Sequence, residues 1–197
     1  NNPELTVLSA LNNPLTELDV THNPELRTLL LNSSQLTELN VSHNPELKVL
    51  LVEGFSKYFN FSKEEKMPKF DLRIGQLIEL DVSNNPKLTK LWTNGNQLNE
   101  LDVSKNLELK VLDVSKNHLT ELDVLNNLKL TDLWTNGNQL SEVDVSNNPE
   151  LTELWVSENQ LIELDVTNNP ELTKLRVSEN QLAALRFSNE MDLENLP

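Results

Sequence analysis

Cysteine is absent from the 197 residues, which excludes disulfides and thiolate chemistry and suits either a reducing cytoplasm or an exported protein. Basic residues are scarce, with 16 Lys and Arg against 31 Asp and Glu for a net charge of -15. Such a surface repels phosphate backbones and anionic membranes, so nucleic acid is excluded as the expected partner. No run of 18 apolar residues occurs, so no transmembrane segment is expected. The start "NNPELTVLSA" has neither a basic nor an apolar signal region, so an exported form would have lost its signal. Nucleophile motifs, phosphate loops and metal-ligand spacings are missing too. No catalytic residue, cofactor or metal is therefore assigned, and the chain reads as a non-enzyme.

Repetition is what the sequence has in abundance. The octapeptide "LWTNGNQL" stands at residues 91–98 and again at 133–140, with "LDVSKNHL" at 112–119 and "LWVSENQL" at 154–161. These are lines of a ladder whose step is 21 residues. Aligning on "LDVS" places Leu18, Leu39, Leu80, Leu101, Leu122, Val143, Leu164 and Leu185 in equivalent positions, with one step of 41. "FNFSKEEKMPKF" from Phe59 aligns with "LDVSKNLELKVL" from Leu101 and fills that gap, leaving a single deletion between Leu50 and Phe59. On this alignment the second line runs through Leu8, Leu29, Leu50, Phe70, Leu91, Leu112, Leu133, Leu154 and Leu175, one for each of nine coils. The expectation is a single domain over 1–197 with repeats at about 5–192 and an irregular coil over 47–66, cut from a longer protein.

The spelling LxxLxLxxNxL, matched throughout by "LTELWVSENQL" at 151–161, is the leucine-rich-repeat signature, each coil adding a short strand to one sheet. Alternation in "LWV" sends Leu154 and Val156 inward and Trp155 outward. Asn96, Asn117, Asn138, Asn159 and Asn180 stand where the chain bends, and each can bond backbone groups left unpaired there. The other half-coil carries Pro24, Pro45, Pro86, Pro149 and Pro170. Proline suits a turn corner, so this half is read as a partly extended convex return. The fold class is an α/β-type leucine-rich-repeat solenoid, mostly β and irregular, right-handed and curved, with a parallel sheet on its concave face.

Over Leu5 to about Leu193 the repeat resembles the short bacterial leucine-rich repeats of internalin-like cell-surface proteins, above all the cysteine-ladder type. Where those carry a strand cysteine, this chain has Thr93, Val114, Thr135, Val156 and Val177. The resemblance implies an exported, adhesive protein of the extracellular space or cell surface. Its expected partner is a protein on a host or neighbouring cell. Carbohydrate binding is the alternative and a structural spacer the third reading.

On the concave face the three tryptophans fall in one column: Trp92, Trp134 and Trp155, with Asp113 between the first two and Arg176 after the last. Neighbouring strands lie about 4.8 Å apart, which sets Trp134 beside Trp155 and Trp92 roughly 10 Å from Trp134. Aromatics with a few polar neighbours form interface centres, so Trp92, Trp134, Trp155, Asp113, Lys90 and Arg176 are the candidate ligand-binding residues, their rings expected to be substantially exposed. Cross-strand packing of the indoles is the competing structural explanation. Asp113 is also the lone candidate for an acid or base. On the return, Glu79, Glu100, Glu121, Glu142 and Glu163 run beside Asp81, Asp102, Asp123, Asp144 and Asp165. This is read as a solvated face in preference to a calcium site. His22, His43 and His118 are read as solvated turn residues. Phe59, Phe61 and Phe70 are expected in the core, while Phe55 and Tyr58 have no place in the repeat.

Overall fold

Each "LxL" unit puts a leucine at the centre of a short strand, and burial of that leucine fixes which way the strand faces. A computed structural model describes residues 2–32, 34–54 and 75–188. Its strands are β1 (Val7–Ala10), β2 (Thr28–Asn32), β3 (Val49–Glu53), β4 (Lys90–Trp92), β5 (Val111–Asp113), β6 (Asp132–Trp134), β7 (Glu153–Trp155), β8 (Glu163–Val166), β9 (Lys174–Arg176) and β10 (Ala184–Phe187). Eight of them form one parallel sheet in the order β1-β2-β3-β4-β5-β6-β7-β9, and β8 pairs with β10 in a second, two-stranded parallel sheet. That second pair comes from the "ELDV" line, so the return wall is extended there. The described residues contain no helix. The fold is a leucine-rich-repeat solenoid of β-strands and irregular returns.

The core is a stack of identical layers. Leu98, Leu101, Val103, Leu109, Leu112 and Val114 are buried in one coil, and Leu119, Val124, Leu130, Leu133 and Thr135 in the next. A fully buried leucine stabilises by roughly 1.5–3 kcal/mol, which no coil realises without a neighbour above and below. At the turns, proline takes the corner expected of it. Asn44 accepts from Leu47 N–H at 3.1 Å across Pro45, and Asn85 does the same for Leu88 across Pro86 at 3.1 Å.

Two ladders of asparagine hold the coils together. In the ladder read from the sequence, Asn117 Nδ2 donates to Val114 O at 2.9 Å and to Thr93 O in the preceding coil at 3.1 Å, while its Oδ1 accepts from Leu98 N–H at 3.1 Å. Asn96, Asn138, Asn159 and Asn180 repeat the pattern. A second ladder lies on the return side at Asn44, Asn85, Asn106, Asn127, Asn148 and Asn169. There Asn106 Nδ2 donates to Val82 O at 3.0 Å and Asn85 O at 2.9 Å. The return-side carbonyls each accept a backbone N–H within their own turn as well, Asn85 N–H for Val82 O and Leu88 N–H for Asn85 O, so the amide fills their second lone pair and ties one coil to the next.

The coil count differs from the expected nine, since the main sheet has eight strands. β3 pairs directly with β4 in the register Val49↔Lys90, Leu50↔Leu91 and Leu51↔Trp92, so no strand around Phe70 stands between them. Every ladder contact at this junction carries the same surplus of twenty residues: Asn85 reaches Asn44 O over a separation of 41, where Asn106 reaches Asn85 O over 21. Residues 55–74 account for the surplus. Their flanks meet in one place, because Gly54 N–H donates to Asn94 O at 2.9 Å and Gly75 N–H to Gly95 O at 2.8 Å. A Cβ on Gly75 would lie 2.7 Å from Gly54 Cα, and a Cβ on Gly54 would strike Gly95 O. Only glycine permits that approach. In the alignment of "FNFSKEEKMPKF" with "LDVSKNLELKVL", the first segment lies outside the described residues. The row Lys69-Asp71-Arg73 and the assignments for Phe55, Tyr58, Phe59, Phe61 and Phe70 lie outside the described residues. Within the expected irregular coil over 47–66, Val49–Glu53 form β3 and 55–66 are likewise outside.

Candidate functional site

The strand register assembles the column that the spacing predicts. Leu51↔Trp92, Trp92↔Asp113, Asp113↔Trp134, Trp134↔Trp155 and Trp155↔Arg176 are successive cross-strand pairs. Beneath it Leu91, Leu112, Leu133 and Leu154 are fully buried, so the column rests on rigid strands. Lys90 occupies the adjoining column on β4. All six candidate residues are thus on one sheet face.

The rings are less exposed than the sequence suggests. Trp92, Trp134 and Trp155 are each half-buried, because in-register side chains on parallel strands stack on one another. Trp134 and Trp155 have centroids 5.1 Å apart with planes inclined at 29°. Arg176 continues the stack, its guanidinium carbon 4.1 Å from the Trp155 ring centre, and Lys90 Nζ lies 5.8 Å from the Trp92 ring centre. Both fall within the range of cation–π attraction. Cross-strand packing and display are therefore combined in this column. The Nε1 atoms of Trp134 and Trp155 are buried and make no hydrogen bond among the described residues. What these two rings offer a ligand is a face rather than an N–H donor.

Charge is interleaved with the rings. Asp113 Oδ1 accepts from Ser115 N–H at 2.9 Å, which ties its carboxylate to the end of β5. Asp132 Oδ2 accepts from Thr131 Oγ1 at 2.7 Å, and Glu153 pairs with Lys174 beside the Trp155 ring. Immediately inside the strands, Thr93, Val114, Thr135 and Val156 are fully buried, at the positions where the cysteine-ladder type carries its thiols.

The acidic columns of the other wall have a use that the sequence did not reveal. Asp81, Asp102, Asp144 and Asp165 each accept from the backbone N–H two residues on, at 2.8 to 2.9 Å, and Asp123 does so from Leu125. The side-chain hydroxyls of Ser83, Ser104 and Thr167, and next these backbone N–H groups, hold the carboxyls of Asp81, Asp102 and Asp165 below the ordinary aspartate value. Thr21 does the same for Asp19. Asn40 takes the same part in its own coil, accepting from Ser42 N–H at 3.0 Å. The signal was visible as Asp-x-Ser/Thr at Asp19, Asp81, Asp102, Asp144 and Asp165, a turn-forming pattern. With Glu38, Glu79, Glu100, Glu121 and Glu142, the side chains from Asp19 to Asp144 in this series, but not Asp165, line a groove that excludes the tryptophan column. Among the described residues no group of three or more His, Cys, Asp or Glu is arranged to hold a metal ion. His22 Nδ1 lies 3.1 Å from Thr21 Oγ1 and His43 Nδ1 3.0 Å from Ser42 Oγ, both exposed at turns. His118 is exposed as well.

No protein-family model matches the sequence, and the curated proteins give no match. Solved structures do. The functional domain of InlJ from Listeria monocytogenes, which includes a cysteine ladder, is 31% identical over 96% of this chain and 46% of its own length, with a TM-score of 0.65. A leucine-rich-repeat protein of Leptospira interrogans is 21% identical with a TM-score of 0.75, covering 96% of this chain and 50% of that one. An internalin, InlF, from Listeria monocytogenes strain 4b F2365 is 18% identical with a TM-score of 0.65, covering 88% and 52%. The chain thus spans about half the length of these structures. No helix among the described residues is long and apolar enough to cross a membrane.

Proposed function

We infer that this chain, an internalin-like leucine-rich-repeat solenoid, is a non-enzymatic protein-binding module whose contact surface is the strand face bearing Trp92, Trp134, Trp155 and Arg176. The observation that carries the reading is the Trp134–Trp155–Arg176 stack. Two indoles and a guanidinium are fixed side by side on three strands, half in water. Trp and Arg are the residue types that dominate binding energy at protein interfaces, and rigid strands spare the entropy of ordering them. The finer form of the proposal is an adhesin or host-interaction protein acting at the cell surface or outside the cell. The likeness to internalins, and to a plant peptide hormone receptor solved in complex with its peptide at 23% identity, supports a recognition role.

Binding of the fluorescently labelled protein to intact bacterial and eukaryotic cells tests this. The expected result is saturable binding that Trp155→Ala removes, that protease treatment of the target cells abolishes and that enzymatic deglycosylation leaves intact. Loss on deglycosylation with survival of protease treatment would replace the protein ligand by a carbohydrate stacked on the same rings. Binding indifferent to Trp155→Ala would remove the column from the interface.

A further inference from the structure

His22 and His43 hold equivalent places in successive coils. The coils are locked in register beside them, because Asn44 Nδ2 donates to Val20 O at 2.9 Å and to Asn23 O at 2.8 Å, and the strands that follow pair Thr28↔Val49. Both imidazoles meet the same relay. Thr21 Oγ1 donates to Asp19 Oδ1 at 2.6 Å and lies 3.1 Å from His22 Nδ1. Ser42 Oγ donates to Asn40 Oδ1 at 2.7 Å and lies 3.0 Å from His43 Nδ1. Each hydroxyl has a single hydrogen, spent on an oxygen that also accepts the backbone N–H of Thr21 at 2.9 Å or of Ser42 at 3.0 Å. Toward the ring the hydroxyl can therefore only accept. The neutral imidazoles carry their hydrogen on Nδ1 and keep Nε2 as a bare lone pair. The His22 side chain is 65% exposed and His43 is exposed as well, so both rings are open to solvent.

We propose that His22 and His43 together form a two-imidazole site for one divalent transition-metal ion, with zinc as the type. Equivalent rings one coil apart are separated by the spacing of neighbouring strands, about 4.8 Å. Two nitrogens bound to one zinc ion, each at roughly 2.0–2.1 Å, stand about 3.4 Å apart at the tetrahedral angle. Small rotations of two exposed rings close that difference of about 1.4 Å. An imidazole that binds metal through one nitrogen donates from the other to an oxygen that fixes its tautomer, and Thr21 and Ser42 already supply that oxygen. Asp19 Oδ2 lies 3.9 Å from His22 Nδ1, adding negative charge on the far side of the ring. Imidazole nitrogen selects zinc, copper or nickel over calcium and magnesium, which require oxygen donors. Two protein ligands leave the remaining positions to water, so the binding is in the micromolar range and weaker than at a closed structural site. The equivalent residues in later coils include Asn84 and Lys105, which confines the pair to these two coils. Neither histidine stands on a strand of the tryptophan face, so the site is independent of the protein-binding reading.

The test uses the intact protein and zinc chloride at neutral pH, followed by the imidazole nitrogen resonances and by calorimetry. Without metal, His22 and His43 are expected as Nδ1–H tautomers. Zinc should then shift both sets of resonances together along one saturable isotherm of one ion per chain, leaving His118 unmoved. His22→Asn and His43→Asn each leave a lone ligand and should weaken zinc by about tenfold or more. His118→Asn should change nothing, and magnesium should give no saturable shift. Three results, the first two needing no variant, overturn the proposal: no saturable zinc shift at His22 and His43, equal responses to zinc and magnesium, or unchanged zinc affinity in either His22→Asn or His43→Asn.

Discussion

Lys116 Nζ lies 3.6 Å from Glu158 Oε2, two coils away, and the ion pair spans Gly137 in the coil between them. Gly137 adopts φ 69°, and Lys116 and Glu158 hold the same left-handed conformation at φ 54° and 56°. A Cβ at Gly137 would lie 3.2 Å from Lys116 Cγ. The missing side chain lets the long ones on either side meet over it. Gly137→Ala is therefore expected to cost about 1–2 kcal/mol, from the left-handed conformation plus the displaced lysine. Lys116→Ala should cost under about 0.5, since both partners of the pair are half in solvent. Urea unfolding of the two variants checks the ranking, and a stable Gly137→Ala would remove the spacer role.

Removal of a ring should cost less than removal of the leucine beneath it. Trp134 is half-buried and stacked on Trp155, so Trp134→Ala should destabilise by about 1–2 kcal/mol. Leu133 is fully buried, and Leu133→Ala should cost roughly 2–5 kcal/mol. Half-burial should also give tryptophan emission that acrylamide quenches in part. Full protection from the quencher would mean that the faces are unavailable to a ligand.

The return-side asparagine ladder should matter as much as the one beside the sheet. Asn127 is fully buried and donates to Val103 O and Asn106 O, both at 3.0 Å. Asn127→Ala removes two buried inter-coil hydrogen bonds, although Val103 O and Asn106 O keep the N–H groups of Asn106 and Leu109, and is expected to cost about 1–3 kcal/mol, against under about 0.5 for the exposed Asn99→Ala. Thermal unfolding distinguishes them. Similar melting temperatures would mean that the amide bonds between coils add no net stability.

Acid should loosen the return turns. The carboxyls of Asp19, Asp81, Asp102 and Asp165 are held below their ordinary value by hydrogen bonds to the residue two positions on. A depressed carboxylate adds stability that is complete above its unfolded value, about 3.9, and disappears as pH falls through the lower folded value. The melting temperature should thus be insensitive to these groups near neutrality and decline below about pH 4. Asp102→Asn retains an acceptor for Ser104 N–H and should flatten that decline slightly. At neutral pH added salt should raise the melting temperature smoothly by screening the acidic columns, with calcium adding nothing beyond its ionic strength. A saturable calcium effect at micromolar levels would show bound metal instead.

Excision of residues 55–74, with Gly54 joined to Gly75, should leave a folded protein. The two glycines already touch, and the excision restores the 21-residue step between Leu50 and Leu91. The circular dichroism spectrum is expected to keep its β character, and the melting temperature to shift by no more than about 3 °C, the equivalent of ~1 kcal/mol in a chain of this size. A molten or aggregated product would mean that the excised residues are integral to the coil at β3 and β4.

The repeat made most of the fold legible. Because a 21-residue step copies each residue onto the same place in the next layer, the core leucines, the asparagines beside the sheet and the membership of the Trp92, Asp113, Trp134, Trp155 and Arg176 column follow from counting. The acidic columns were legible as columns, yet their aspartates are turn acceptors as well as charges. That role depends on a backbone N–H two residues away and so required only a local pattern that counting by coils passes over.

The sequence by itself determined the period, the inward and outward positions and the order of side chains along the sheet, since these are properties of one coil repeated by translation. Tertiary structure alone decided what lies between one coil and another. Parallel pairing is nonlocal, so Leu50 meets Leu91 across a gap of 41 residues, a step that counting by 21 does not foresee. The half-burial of the tryptophans, the contact of Gly54 with Gly75 and the bridge from Lys116 to Glu158 over Gly137 arise in the same way. Each depends on distances between strands and on the space a neighbouring layer leaves, which a single coil does not contain.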